Sequence, residues 1–307
     1  TEIKQALASA QESERRLQDV LANIKLAAII LDHHGSLTFC NQHLLELAGW
    51  KTEQVLGRNW FEQLLPAEVS QQYHQLFLQA GFSGHFPERY EHAIRAGDGS
   101  QRLIAWNNTL LHNSQGEIIG LASIGEDVTE RKWAEKVQSA IFKISQAAIN
   151  TDNLPDLFQT IHATLGDLMP VENFFIALYN PATDLLSFPY YVDQYDQAPE
   201  SHKPGRGLTE YVLRTGKALL APQEVFERLV EQGEVELIGA NSVDWLGVPL
   251  KVENRVIGVM CLQSYSPGVR YQRRDLQMVN FVSNQVAMAI ERQRTSDSLN
   301  STSQRYQ

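Results

Sequence analysis

The chain has 307 residues, enough for two domains that each bury a core of their own. Its 43% apolar and 20% charged residues exclude a disordered chain. A net charge of −10 argues against nucleic acid and anionic membranes as partners, and no apolar run approaches the ~20 residues of a membrane span. We therefore expect a cytoplasmic protein whose two cysteines, Cys40 and Cys261, are reduced and buried.

The first part of the chain begins with a predicted amphipathic helix. Its apolar residues from Ile3 to Ile24 are spaced alternately by four and three, as in a short coiled coil. Two strands at 28–31 and 37–40 follow, and short helices then occupy 42–80. A meander of three strands is predicted around 90–95, 101–111 and 118–126. This order predicts one antiparallel sheet with helices on one face.

A second apolar stripe is formed by Trp133, Val137, Ala140 and Ile144. Its spacing predicts a connecting helix that ends near residue 149. Because a lone helix cannot fully bury such a stripe, we predict a parallel homodimer through residues 131–149, reinforced by the N-terminal stripe. The alternative is a monomer whose stripe packs on its own domain surface.

The remaining sequence predicts a second α/β unit. Thr151 or Asp152 is expected to cap a helix over 154–168, and hairpins are predicted at 174–192 and 245–265. Short helices at 207–214 and 222–231, and a long helix over 272–294, complete the unit.

The predicted fold class is therefore α/β (α+β), with two domains that are each an antiparallel sheet with flanking helices, joined by coiled-coil-like helices. The predicted segments are a linker helix at 1–18, a first domain at 19–131, a connecting helix at 132–150, a second domain at 151–293 and a linker at 294–307.

The first domain carries an ordered set of motifs: Asn41, Gly49-Trp50, Gly57-Arg58-Asn59-Trp60, Asp98-Gly99-Ser100 and Asp127-Val128-Thr129-Glu130-Arg131. In this order they resemble a PAS sensory domain. We expect Asp127 and Thr129 to anchor the last strand to the connecting helix by hydrogen bonds. With Glu130 and Arg131 they are the predicted signal-transmission residues.

The second domain carries Phe174-Phe175-Ile176, Gly205-Arg206-Gly207-Leu208, Trp245-Leu246-Gly247-Val248-Pro249 and Ile257-Gly258-Val259. These motifs resemble a GAF domain. Residues 301–307 also echo residues 12–18, the lead-in of the first domain, so we expect a fragment of a longer chain. The resemblance implies a larger bacterial sensor protein, whose output domain, histidine kinase or diguanylate cyclase, lies downstream.

PAS domains hold flavin, haem or small organic ligands, and the candidate contact residues here are Asn41, Trp60 and Tyr73. The resemblance places the photoactive cysteine of flavin domains after Gly57-Arg58-Asn59, where this chain has Trp60-Phe61. By the same resemblance, the position of the axial histidine in haem domains is occupied here by Tyr73. We expect the neighbouring His74 to face solvent or cap a helix. For Asn41, capping of the next helix competes with the ligand role.

GAF domains include bilin and cyclic-nucleotide binders. Cys261 lies mid-strand, which disfavours covalent bilin, and Leu276 replaces the final acid of the nucleotide pattern. The aromatic candidates for a pocket are Phe188, Tyr190, Tyr191, Tyr211 and Trp245, and core packing is the alternative for most of them. Arg206, at a glycine-flanked helix start, is a candidate contact for an anion, although a plain helix start explains the same residues.

The sequence has no phosphate loop, no His-Glu-x-x-His motif and no nucleophile elbow, so we expect no catalysis by this chain. His33-His34 is interpreted as a turn and not as a metal site. The predicted function is a sensory module that binds a small molecule and signals, through dimeric helices, to an output domain, a histidine kinase in the first place. The alternatives are regulation of a diguanylate cyclase and a ligand-free dimerisation scaffold.

Overall fold

The computed structural model describes residues 12, 16, 20, 21, 24–150 and 153–305, and of residues 82 and 297–305 the backbone alone. The chain divides into two compact units, Thr1–Ala134 and Glu135–Gln307. Most of the predicted helix at 1–18, with its stripe from Ile3, lies outside the described residues, as do Thr151 and Asp152.

The first unit is a five-stranded antiparallel sheet in the order β2-β1-β5-β4-β3. The elements are β1 (Ala27–Asp32), β2 (Leu37–Cys40), α1 (Gln42–Ala48), α2 (Thr52–Val55), α3 (Trp60–Leu64), α4 (Ala67–Ser83), β3 (Arg89–Arg95), β4 (Gln101–His112) and β5 (Ile118–Asp127). The last strand of the meander thus pairs with the first strand of the unit, and the segment from α1 to α4 connects the two edges of the sheet.

Local sequence explains the tight β1–β2 turn. The Asp32 carboxylate accepts hydrogen bonds from the backbone N–H groups of His34 and Ser36 at 2.9 Å. Gly35 adopts a φ of 78°, a left-handed conformation that a residue without Cβ enters at no steric cost. The apolar faces of the strands then bury Trp60, Phe61 and their neighbours in one core.

The second unit is also a five-stranded antiparallel sheet, in the order β7-β6-β10-β9-β8. Its elements are α6 (Leu154–Gly166), β6 (Asn173–Asn180), β7 (Leu185–Val192), α7 (Leu208–Thr215), β8 (Leu219–Pro222), α8 (Gln223–Glu231), β9 (Asp244–Val252), β10 (Arg255–Ser264) and α9 (Arg273–Arg305). Two antiparallel sheets with flanking helices confirm the predicted fold class. The short strand β8 is an addition to the prediction, and α9 continues to Arg305 through the segment predicted as a linker.

Helix α5 (Thr129–Asn150) joins the sequences of the two units. The expectation that one chain leaves its apolar stripe uncovered is wrong, because Ile144 is 1% exposed and Ala140 6% exposed. Ile144 belongs to the large core of the second unit, and Val137 packs against that core. Trp133 is half-buried. The stripe therefore stabilises the fold of its own unit and is unavailable as a dimer seam.

In the part of the chain that the structure describes, none of the helices has the length and apolarity to cross a bilayer.

Candidate functional site

The sheet of the second unit has two different faces. Along β6, Phe174 and Ile176 point into the core shared with α6 and α9, whereas Phe175 points to the opposite face. On β10, Cys261 likewise belongs to the opposite face, and Met260 to the core. Successive residues of a strand alternate between faces, so the apolar sequence of these strands serves two separate clusters.

A cavity of about 270 Å³ lies on the face opposite the core. Its walls come from the sheet, from the first turn of α7, and from the segments 196–202 and 236–242. Five aromatic side chains line it: Phe175, Phe188, Tyr191, Phe226 and Trp245. The Phe175 and Tyr191 rings stack with centroids 5.2 Å apart, and Phe188 meets Tyr191 edge-on at 6.1 Å. The cavity is close to the ~300 Å³ at which ligand pockets begin, and it suits a small metabolite.

The structure brings three of the six candidate residues of this unit to the cavity, Phe188, Tyr191 and Trp245. Tyr190 packs on the other face of the sheet, where its hydroxyl lies 2.9 Å from Nδ1 of His162. Tyr211 carries the guanidinium of Arg214 over its ring at 5.4 Å and does not line the cavity. The ligand-contact predictions for Tyr190 and Tyr211 are therefore wrong, because strand alternation and helix rotation turn both rings away.

Arg206 is also placed away from the cavity lining. Its guanidinium donates to the Gly233 carbonyl and forms an ion pair with Glu236 at 3.5 Å. The start of α7 is occupied by a carboxylate of the chain itself, since Oε1 of Glu210 accepts from the Gly205 N–H at 3.3 Å. The anion interpretation is thus contradicted, and a helix start held by its own acid replaces it.

Sequence reasoning missed Glu210, the buried carboxylate of the cavity lining. Glu210 is only 6% exposed although it is charged. Its position in the first turn of α7, an ordinary place for an acid, gave no sign of the cavity beside it. Strict alternation along β7 would place Phe188 and Tyr190 on the same face. A bulge in the β6–β7 pairing lies between them, so Tyr191 and not Tyr190 shares the cavity face with Phe188.

The electrostatic environment of this face is acidic. Burial, followed by the charges of Asp193, Asp196 and Cys261, raises the pKa of Tyr191 to about 12. Burial also raises the pKa of Cys261 well above its ordinary value, and the charge of Glu210 adds to this, whereas a contact with the Thr209 hydroxyl opposes it. The Cys261 thiol therefore stays protonated and is a poor nucleophile.

The first unit has a much smaller interior cavity of about 20 Å³. The candidate residues Trp60 and Tyr73 both line it, together with Trp106 and His92. Trp60 meets Trp106 edge-on at 5.7 Å, and the Tyr73 hydroxyl donates to the Glu91 carbonyl at 3.3 Å. Among the described residues, Trp106 Nε1 is the one buried side-chain nitrogen or oxygen without a hydrogen-bond partner.

Asn41 is a structural residue of the same unit. Its Oδ1 accepts from the N–H groups of Ala28 and Leu44, and its Nδ2 donates to the carbonyls of Leu21 and Leu26. The capping interpretation is confirmed, because Asn41 is the N-cap of α1. The ligand-contact alternative is wrong, since all four hydrogen-bonding positions of the amide are already used.

Three further side chains differ from expectation or need a physical account. His74 is half-buried in the middle of α4, so it does not cap that helix, and its ring stacks on Phe61 with centroids 4.9 Å apart. Cys40 is half-buried and not fully buried, and burial raises its pKa. Burial lowers the pKa of His92 to about 4, although a hydrogen bond with the Ala93 carbonyl opposes the shift.

The junction after β5 is held by a compact set of hydrogen bonds. The Thr129 N–H and hydroxyl both donate to Oδ1 of Asp127, at 2.9 and 2.5 Å. The same hydroxyl oxygen accepts from the Leu103 N–H at 2.7 Å, which ties β4 to the start of α5. The hydrogen bonds expected at Asp127 and Thr129 are therefore present.

Exposed ion pairs surround this junction. Arg131 lies 3.9 Å from Glu126, and Lys132 lies 3.1 Å from Glu91 on β3. Such exposed pairs contribute little to stability individually. Glu130 stands in the first turn of α5. A role for these residues in transmission is a matter for proposal.

Two family models match the chain, and together they follow its two units. The model of the PAS fold matches residues 21–132, and the model of the GAF domain matches residues 151–291. A PAS domain and a GAF domain stand in tandem in this chain. Both are sensory domains, which can bind small molecules and signal, and neither is a catalytic domain.

Each of the similar proteins covers about half of this chain or less. The uncharacterized protein y4lL of Sinorhizobium fredii (strain NBRC 101917 / NGR234) is 28% identical over 127 residues, which are 41% of this chain. The chain spans 15% of the length of that relative.

Two solved structures illustrate the likeness to each domain. The PAS domain of an HTR-like protein from Haloarcula marismortui is 25% identical, with 40% of this chain and 98% of that chain covered and a TM-score of 0.32. The GAF domain of a phosphoenolpyruvate-protein phosphotransferase from Coxiella burnetii is 13% identical, with 54% and 98% covered and a TM-score of 0.45.

Within the described ranges, no three His, Cys, Asp or Glu side chains are grouped so that they could hold a metal ion. His33 and His34 lie in the β1–β2 turn with ring centroids 3.8 Å apart.

Proposed function

We propose that this chain is a sensory module in which the GAF domain binds a small organic molecule. The observation that carries the proposal is the difference between the two interiors. The GAF cavity of about 270 Å³ has aromatic walls and a buried carboxylate, whereas the PAS cavity of about 20 Å³ has room for roughly one water molecule. The PAS domain then acts mainly as a transmitter, and neither domain holds haem, flavin or bilin.

Each domain passes its state to the helix that follows it. After the PAS domain this helix is α5, whose first residue, Thr129, is bonded to Asp127 and to Leu103 on β4. After the GAF domain it is α9, which extends to Arg305. The domain that receives the signal is proposed to be an output domain further along a longer chain. A histidine kinase is the preferred candidate, and a diguanylate cyclase is the alternative.

The proposal includes a homodimer, with a different surface from the stripe at Ile144. Phe142 and Ile149 are each 65% exposed and stand seven residues apart on α5. Phe281 and Met288, 42% and 56% exposed, have the same spacing on α9. A seven-residue spacing keeps each pair on one side of its helix, which suits a parallel pairing with a second copy. Cytoplasmic location, suggested by two unpaired thiols, completes the proposal.

Native mass spectrometry after gentle purification tests the ligand role. We expect the chain to carry a non-covalent small molecule, or to bind one in a thermal-shift screen of metabolites. Ala221→Leu should abolish the binding, because Ala221 is 3% exposed and lines the cavity. Tyr190→Phe is the matched control on the opposite face, and it should retain the binding.

A bare wild-type chain that no metabolite stabilises would favour the ligand-free scaffold. The same conclusion would follow if Ala221→Leu, shown to be folded by circular dichroism, bound the ligand as tightly as the wild type.

A further inference from the structure

The chemical class of the ligand follows from Glu210, a carboxylate of which only one oxygen has a hydrogen-bond donor within the described residues. Its Oε1 accepts from the Gly205 N–H, and among the described residues Oε2 has no hydrogen-bond donor. Oε2 lies beside Gly207, where an added Cβ would come within 2.8 Å of it, and Glu210 lines the cavity. The residue as a whole is 94% buried and Oε1 is bonded inside the fold, so Oε2, facing the cavity, is the oxygen left to accept from a ligand, and its charge favours a cationic donor.

The cavity lining supplies no such charge from lysine or arginine. Its carboxylates are Asp196, Glu210 and Glu236, and its one titratable base is His202, in the part of the chain that the structure describes. Glu236 is paired with Arg206 at 3.5 Å, and Oδ2 of Asp196 accepts from the Ala240 N–H at 2.9 Å. Glu210 is thus left with neither an ion-pair partner nor a donor for its second oxygen.

The aromatic walls favour the same class of ligand. Phe175, Phe188 and Tyr191 are in mutual ring contact, and Trp245 lines the cavity with them. The faces of aromatic rings attract cations, most strongly where water is excluded. An anionic ligand would instead face Glu210 at close range, and a neutral one would leave its charge uncompensated.

We propose that the GAF cavity selects small organic cations, with an ammonium group hydrogen-bonded to Oε2 of Glu210 and the apolar body against Phe188, Tyr191 and Trp245. This inference rests on the proposed role of the same cavity as a small-molecule site. It goes beyond that role because it names the charge of the ligand and the residue that reads it.

Three probes of similar shape and different charge test the selectivity: phenethylamine, phenethyl alcohol and phenylacetate. Isothermal titration calorimetry on the full chain should show the amine binding at least about tenfold more tightly than the alcohol, and phenylacetate binding most weakly. Glu210→Gln retains the acceptor for the Gly205 N–H and removes the charge. It should weaken amine binding about tenfold and change alcohol binding by less than about twofold.

Glu231→Gln is the control, because it removes the same charge from an exposed position outside the cavity lining, and it should leave all three affinities unchanged. Alcohol or phenylacetate binding as tightly as the amine overturns the cation selectivity and leaves the small-molecule role standing. Unchanged amine binding by Glu210→Gln likewise overturns it. If none of the probes binds and the purified chain carries no ligand, the small-molecule role fails, and this inference fails with it.

Discussion

The Thr129 hydroxyl is the single group that joins β4, β5 and α5. It donates to Asp127 and accepts from the Leu103 N–H. Thr129→Val keeps the shape and removes the oxygen, so we expect a loss of about 1–3 kcal/mol in local stability. Hydrogen exchange by mass spectrometry should show faster exchange at Leu103 and Val128.

Thr109→Val, at an exposed position of β4, provides the comparison, and the exchange at Leu103 and Val128 in this variant should match the wild type. Equal protection of Leu103 in both variants would show that the junction does not depend on this hydroxyl.

His92 gives the PAS domain a defined pH response. Its pKa in the fold, about 4, lies below the ordinary value of 6.5, so the unfolded chain binds the proton more readily. The stabilisation is therefore complete above about pH 6.5, declines as the pH falls, and is lost by about pH 4. The shift corresponds to about 3 kcal/mol at most.

Urea unfolding of the PAS domain between pH 4 and 7 measures this effect. Carboxylates also titrate in that window, and His92→Phe separates their contribution because it keeps a ring beside Trp106. The variant should lose less stability on acidification than the wild type. Parallel pH profiles for the two proteins would contradict the assignment.

At the scale of elements, the two sides of α5 have opposite roles. Ile144 is buried in the GAF core, whereas Phe142 is 65% exposed. Ile144→Glu would bury an unpaired charge, so we expect it to destabilise the GAF domain by several kcal/mol. Phe142→Glu should leave the fold intact. Thermal unfolding by circular dichroism distinguishes them, and a normally folded Ile144→Glu would restore this stripe as an accessible surface.

The sequence predicted regular elements well and their surroundings poorly. The PAS meander and the helix that ends at Gly216 follow from local signals, since glycine with a φ of 62° is a usual helix terminator. The strand β8 was not predicted because its four residues end in Pro222, which also suggests the start of a helix.

The candidate site was only partly predictable for a similar reason. Phe188 and Trp245 were found because large aromatic residues on strands must pack somewhere. For Arg206 the sequence left an anion contact and a plain helix start as alternatives, because its actual partners, Gly233 and Glu236, lie far along the chain. Whether an acid in the first turn of a helix is buried and bonded to the preceding loop depends on tertiary contacts, and the sequence around Glu210 gives no sign of it.

At the scale of the whole molecule, the proposed dimer has a direct test. Light scattering should give the mass of a dimer for the wild-type chain and that of a monomer for the Phe142→Glu/Phe281→Glu variant, because both new charges would face a second copy. Val230→Glu replaces a residue of similar exposure, 42%, on α8 and should not alter the mass. A monomeric wild type at high micromolar concentration would refute the dimer.

We also expect the purified chain to be colourless. The PAS interior of about 20 Å³ has no room for flavin or haem, and Cys261 is completely buried with a protonated thiol. Absorbance between 350 and 700 nm is the measurement. A band from bound flavin, haem or bilin would contradict the interpretation of either interior.

The contact between Cys261 and α7 also makes the reactivity of this thiol a measure of local opening in the GAF domain. The sulfur lies 3.8 Å from the Thr209 hydroxyl, under the same helix turn that carries Glu210. Cys261 is completely buried, so we expect a thiol reagent to reach it when that turn lifts from the sheet. The rate of Cys261 labelling then reports how often the cavity opens. A compound that occupies the cavity should slow the labelling of Cys261. The labelling rate of half-buried Cys40, in the other domain, is the internal reference.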